Sequence, residues 1–144
     1  MAQVYLVGID CSNCSDRALQ FATEAAAAKG SKVVIAHVIE WSPYSFNTNE
    51  ENAERHKRRE AELDRAHSDI VDPLVEKLKA QGLDAEGVIR HGHIAKTLKS
   101  LADHYDASAI VVGRHGESGL LKQFFGSVPQ ALIQIADRPV TVVP

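Results

Sequence analysis

At 144 residues, with 44% hydrophobic and 24% charged side chains, the chain has the make-up of an ordinary globular protein, with enough apolar material for one continuous core. A net charge of −3 sets up no global field that would draw in nucleic acid or an anionic membrane. No apolar stretch approaches the ~20 residues that span a bilayer, and the opening "MAQVYLVGID" lacks the basic flank and cleavage site of a secretory signal, so the expectation is one cytoplasmic domain over residues 1–144 whose two cysteines are reduced.

In chain order, "VYLVGI" (4–9) is the first of five short apolar runs rich in β-branched residues. Continuous rather than alternating apolarity suits strands buried on both faces of a parallel sheet. The stretch "SDRALQFATEAAAAKG" reads as a helix, with Ser15 placed as its N-cap and Gly30 where a left-handed C-cap residue belongs. Its alanines allow close approach to a sheet. "KVVIAHV" (32–38) is the second strand, and "WSPYSFNTNEEN" (41–52), polar with three aromatics, reads as an exposed loop. From about 50 to 81 a helical pattern presents Leu63, Ala66, Ile70, Leu74 and Leu78 as one stripe. Pro73 should kink that helix, or restart it with Asp72 as a new cap, and Gly82 closes it. A weaker strand, "AEGVIR" (85–90), precedes a helix over 94–105 that carries Ile94, Leu98, Leu101, Ala102 and Tyr105 on one face. "ASAIVVG" (107–113) is the fourth strand. A last helix beginning near Ser127 shows Val128, Leu132, Ile135 and Ala136, and "RPVTVV" (138–143) is the fifth strand. Strands alternating with helices imply right-handed βαβ units and an open, doubly wound α/β sheet with helices on both faces.

Ligands of such sheets bind beyond the carboxyl ends of the strands, here in the loops after residues 9, 38, 90 and 113. The last of these opens the most unusual stretch of the chain, "VVGRHGESGLLKQFFGSVPQAL". Gly113 ends a strand, Gly116 and Gly119 follow, and Gly126–Ser127 is placed to open a helix. Glycines at a strand end let backbone N–H groups reach an anion with no Cβ in the way, and a helix N-terminus with a serine hydroxyl seats phosphate. Arg114 and Lys122 add charge. The same residues read equally well as a turn followed by an ordinary capped helix.

Gly113-x-x-Gly116, nine residues, then Gly126–Ser127 resembles the G-2x-G-9x-G-(S/T) signature of ATP-binding universal stress proteins. "VGID-S---AL", the "AHV" strand ending, "HGHIAKTLKSLADHYDASAIVVG" and "DRPVTVVP" are similar to the same family, so the resemblance covers nearly everything outside 41–62. It implies a five-stranded parallel sheet of order 3-2-1-4-5, flavodoxin- or Rossmann-like. It implies that Asp10 reaches the ribose or base edge of adenosine and that Val38 offers backbone groups to adenine. Gly113, Arg114 and Gly116 would wrap ribose and phosphates, and Gly126, Ser127 and Val128 would hold the phosphate tail of ATP, with Mg²⁺. Pro129 departs from the pattern, since it offers neither an N–H nor a hydroxyl; that puts the choice between ATP and ADP or AMP in question. The family also implies a homodimer in which the last strand, "VTVV", pairs across a two-fold axis. An unpaired apolar edge strand argues the same way on physical grounds.

Other devices are missing or incomplete. There is no G-x-x-x-x-G-K-[ST], no G-x-G-x-x-G after the first strand, and "GESG" is not a nucleophile elbow. His91 and His93 have no cysteine partner nearby, His93 reads as the start of the helix over 94–105, and His115 lies in the glycine loop. "RHKRRE" (55–60) has Glu51–Arg55 and Glu54–Arg58 at i,i+4, the spacing of a self-paired solvated face rather than a nucleic-acid site. Cys11 and Cys14 form a C-x-x-C after a strand and before a helix, where a thiol pKa can fall, but the chain lacks the flanking residues of thioredoxin-like proteins. The reading is therefore an adenine-nucleotide-binding, dimeric stress-response module without vigorous turnover, slow hydrolysis being left open with Asp10 or His115 to position water. The alternatives are a thiol-redox sensor built on Cys11 and Cys14, and a scaffold whose nucleotide site is vestigial, for which Pro129 is the argument.

Overall fold

A strand whose two faces are both apolar needs a helical layer on each side. Leu6 and Val7, adjacent in β1 (Val4–Ile9), are both fully buried and belong to different cores. The computed structural model describes residues 3–10, 13–40, 49–114 and 120–144, with the side chains of 13–14, 49–52 and 120–127 left undescribed. In it β1 is followed by α1 (Asn13–Lys29), β2 (Lys32–Glu40), α2 (Asn49–Ala66), a π-helical turn (His67–Val71) and α3 (Asp72–Ala80). Then come β3 (Asp84–Gly92), α4 (Ile94–Tyr105), β4 (Ala109–Gly113), α5 (Leu120–Ile135) and β5 (Val140–Val143). All strand pairs are parallel, in the order β3-β2-β1-β4-β5, as expected.

One core joins α1, the π-helical turn and α3 to the sheet through Ala18, Ala22, Ala26, Val33, Ile35, Val71 and Leu78. The other joins α4 and α5 through Leu6, Val34, Leu98, Ile110, Val112 and Leu132. The alanine ladder of α1 is fully buried at Ala18, Ala22 and Ala26, which is how that helix lies close to the strands. Among the described residues no helix is long and apolar enough to cross a membrane.

Several boundaries differ from the sequence-based expectation. α1 begins at Asn13, so Ser15 is a buried residue inside the helix rather than its N-cap. Gly30 and Gly82 do adopt the left-handed conformation that ends a helix, with φ of 65° and 84°. Residues 49–52 are helical rather than loop, and the rest of the expected loop, 41–48, lies outside the described residues. The long helical pattern breaks before Pro73 rather than at it. The π-helical turn comes first, α3 then starts with Pro73 in its first turn, and Asp72 is a helical residue, the cap position falling to Val71 with no side-chain hydrogen bond. Pro73 has no N–H for the carbonyl of Asp69 and its ring crowds that carbonyl, so the helix widens into the π turn just before the proline. The turn places Val71 on β3, where a Cβ built on Gly87 would lie 2.1 Å from Val71 Cγ1 and the bare strand accepts the valine.

At the far edge of the sheet Arg138 fastens the entry to β5. Its guanidinium donates to the carbonyls of Ala102 (2.8 Å) and Ala107 (2.7 Å) and to Asp103 Oδ1 (2.9 Å). One side chain thereby satisfies carbonyls at the end of α4 and before β4, and the fork geometry of arginine suits that task.

Candidate functional site

After β1 the chain moves through α1, on one face of the sheet, to β2; after β4 it crosses to β5 through α5, on the opposite face. The helices that follow β1 and β4 therefore lie on opposite faces of the sheet, the arrangement that makes a crevice at the carboxyl edge of an open α/β sheet. The ladders show its shape. The β1–β2 register ends at Ile9↔His37, whereas β2–β3 continues to Glu40↔Gly92. Val38, Ile39 and Glu40 thus run on past the end of β1. On the other side the β1–β4 register ends at Val7↔Val111, while β4–β5 continues to Gly113↔Val143. Asp10, half-buried, stands at the end of β1 between these two overhangs.

The fold thus brings four of the expected site residues to one edge: Asp10, half-buried Val38, buried Gly113 and exposed Arg114. Arg114 is placed by its backbone, whose N–H donates to the Val143 carbonyl at 2.7 Å. Gly116 and His115 lie outside the described residues, as does Cys11; Cys14 lies in the first turn of α1.

The remaining expectation needs correcting. The last helix does not begin near Ser127. α5 begins at Leu120 and runs through Gly126, Ser127 and Val128. "LLKQ" is a run of good helix formers, and it carries the helix back across the glycine. The N–H groups left free by the start of α5 therefore belong to its first residues, from Leu120 onward, and Val128 is buried in the α4–α5 core. Pro129 falls inside the helix. It has no N–H for the carbonyl four residues earlier, that of Phe125, and its ring crowds that carbonyl.

The histidines near the crevice have local duties. His93 is the N-cap of α4, its Nδ1 accepting from the Lys96 N–H at 3.3 Å. The turn into that cap needs Gly92, whose φ is 150° and where a Cβ would meet Thr97 Oγ1 at 2.8 Å. His91 Nε2 lies 3.4 Å from the Arg59 carbonyl. His37, the middle residue of the "AHV" strand ending and given no role by the sequence alone, places Nδ1 3.1 Å from the Ile9 carbonyl. It also lines a cavity of about 370 Å³ with Ile39, Glu62, Arg65, Asp69 and Ile70. On the outer face of α2, Arg58–Glu54 (3.8 Å) and His56–Glu60 (2.9 Å) pair at i,i+4 in solvent, the self-paired surface expected of that charge run.

The sequence profile described as "Universal stress protein family" matches residues 1–144. The chain belongs to the universal stress protein family. It is 32% identical to a universal stress protein of Mycolicibacterium smegmatis over 96% of this chain, and spans about half (47%) of that relative's length. It is 30% identical to universal stress protein A homolog 1 of Coxiella burnetii, over 96% of this chain and 93% of that one. The fold matches universal stress protein UspA from Lactobacillus plantarum with a TM-score of 0.81 at 19% identity, covering 99% of this chain and 97% of that one. A universal stress protein solved in complex with cAMP matches at 27% identity and a TM-score of 0.63, covering 99% and 97% of the two chains. One from Archaeoglobus fulgidus, solved in complex with dAMP, matches at 23% and 0.64, covering 100% and 98%. Some structural relatives of this universal stress protein are thus nucleotide complexes.

The position of Pro129 in this universal stress protein has a measurable consequence. A proline inside a helix costs about 3 kcal/mol, and burial of its two extra methylenes offsets about 1.5 kcal/mol. Pro129→Ala is therefore expected to raise the unfolding free energy by about 1.5 kcal/mol in urea denaturation. A helix that began at Ser127 would give the opposite sign, since only buried surface would be lost.

Proposed function

We propose that this universal stress protein binds an adenine nucleotide, ATP with Mg²⁺, across the crevice at the end of β1, and acts as a homodimeric cytoplasmic stress-response module. The observation that carries the reading is the convergence of Asp10, the β2 overhang beginning at Val38, and Gly113–Arg114 at the one place where strand order reverses. Each part suits one part of the ligand. A carboxylate accepts two hydrogen bonds from a ribose diol. The edge of a strand that has outrun its neighbour offers amide donors and carbonyl acceptors to the edge of a base. Gly113, with Gly116 in the loop that follows, lets the backbone approach phosphate, and Arg114 supplies charge. A relative at 27% identity solved with cAMP supports adenine as the base.

Gly126, Ser127 and Val128 take the phosphate tail in this proposal only if α5 gives up its first turns. A helix shortened to start at Ser127 frees the N–H groups of that turn and moves Pro129 into a first turn, where proline is tolerated. The internal proline lowers the cost of that change. Mg²⁺ would then sit on the phosphates with the Ser127 hydroxyl, a hard oxygen ligand. Among the described residues no general base is placed for the phosphate end in this arrangement, and Asp10 or His115 would only position water, so turnover is expected to be slow.

The dimer follows from the unequal edges of the sheet. The β3 edge carries Asp84, Glu86, Arg90 and His91, with Lys32 paired to Glu86 at 3.3 Å; such charges discourage pairing. β5, Val140–Val143, has none, and Val142 is exposed, as are Ile133 and Ile135 on α5, which packs against β5. A second copy of this chain would cover that edge. Light scattering is expected to give twice the chain mass for the wild type and the single mass for Val142→Lys; a monomeric wild type would contradict the dimer.

For the nucleotide, gently purified protein is denatured and the released small molecules are identified by mass spectrometry. ATP is then titrated calorimetrically into the wild type, Ser127→Ala and Gly116→Val. An adenine nucleotide in the released fraction and at least tenfold weaker binding by the variants, about 1.4 kcal/mol each, are expected. No binding, or unchanged affinity in both variants, would sink the reading.

A further inference from the structure

We propose that His37 is a positioning residue for Asp10: its imidazole holds the last carbonyl of β1 and so sets the direction in which Asp10 enters the crevice. Its functional consequence rests on the nucleotide reading above; the bond itself does not.

His37 is the β2 residue opposite Ile9, at the final rung of the β1–β2 ladder. Its Nδ1 lies 3.1 Å from the Ile9 carbonyl oxygen. That oxygen belongs to the peptide unit that also contains Asp10 N and Cα, and a peptide unit is planar. A hydrogen bond that fixes the oxygen therefore fixes the plane from which the Asp10 side chain departs. This matters because the β1–β4 ladder stops at Val7↔Val111, so the end of β1 has lost its strand pairing on that side before Asp10 is reached. On the opposite side, where β2 still pairs Ile9, the side-chain bond reinforces the last rung.

The chemistry of the bond is constrained. A carbonyl only accepts, so Nδ1 carries the proton, and a neutral His37 is the Nδ1–H tautomer with Nε2 as acceptor. The ring does not lie in close-packed core. It borders the cavity of about 370 Å³ whose charged lining is Glu62 and Arg65 of α2 and Asp69 of the π-helical turn. Shortening the side chain enlarges a space that already exists, so the cost in stability is small. The cost in alignment is not, since only this ring reaches from β2 to the Ile9 carbonyl among the described side-chain hydrogen bonds.

The test separates the bond from the bulk of the ring. In His37→Asn the amide Nδ2 stands near the place of Nδ1 and still donates; His37→Leu keeps bulk and loses the donor. ATP titrated calorimetrically is expected to bind His37→Asn like the wild type and His37→Leu about tenfold more weakly, the equivalent of one ordinary hydrogen bond. Equal loss in both variants, or none in His37→Leu, would overturn the proposal. A second readout does not depend on ATP. Long-range proton–nitrogen NMR of the His37 ring is expected to show Nδ1 protonated, and the Asp10 amide resonance to move in His37→Leu but not in His37→Asn. An unprotonated Nδ1, or an Asp10 amide indifferent to both substitutions, would overturn it too. A wild type that binds no ATP yet passes the NMR test would instead overturn the nucleotide reading alone.

Discussion

A strand buried on both faces can satisfy its peptide groups only through its neighbours, and in this chain the two neighbours of β1 leave it at different heights. β2 follows it to Ile9 and then continues alone with β3; β4 parts from it after Val7 and continues with β5. The proposed nucleotide crevice at the carboxyl edge depends on that mismatch. It lets the strand edge from Val38 to Glu40 run on past β1 and places Asp10 between two overhangs, with the Ile9 carbonyl also held by the His37 ring.

The two helical layers hold this arrangement in place by close approach more than by bulk. The alanines of α1 and the bare Gly87 under Val71 let helical segments sit near the strands, while Arg138 ties the end of α4 and the entry to β4 to the start of β5. The π-helical turn that packs Val71 on Gly87 also supplies Asp69 and Ile70 to the wall of the cavity beside His37. Packing between one helix and the edge strand β3 thus shapes the surroundings of a residue at the crevice.

Much of this was legible in the sequence because parallel strands announce themselves as unbroken apolar runs. "VYLVGI" became β1 without adjustment, and the loops at the strand ends, with Asp10, Val38 and Gly113, could be assigned from it. The strand order came from resemblance to a family rather than from periodicity. The start of α5 was misplaced because glycine, serine and proline in succession are helix-start signals, while "LLKQ" upstream is an equally good helix former with no marker of its own. The break in the long helix was legible from Pro73, but its form was not: that the widened turn sets Val71 against Gly87, sixteen positions away, is a contact of the folded sheet. His37 stood in the "AHV" strand ending that resembles the family, but its contact could not be read there: it arises only when the register sets the ring opposite Ile9, and register is a property of the folded sheet.

The central claim, that the reversal of strand order at β1 makes the ligand site, is tested most directly by mapping ATP onto the backbone. In nitrogen-edited NMR titrations the account predicts the largest shifts at the amides of Asp10, Val38, Ile39, Gly113 and Arg114, a set that is contiguous only in the folded sheet. Shifts confined to other surfaces, such as the groove between α1 and α3, with those five amides unmoved, would contradict it.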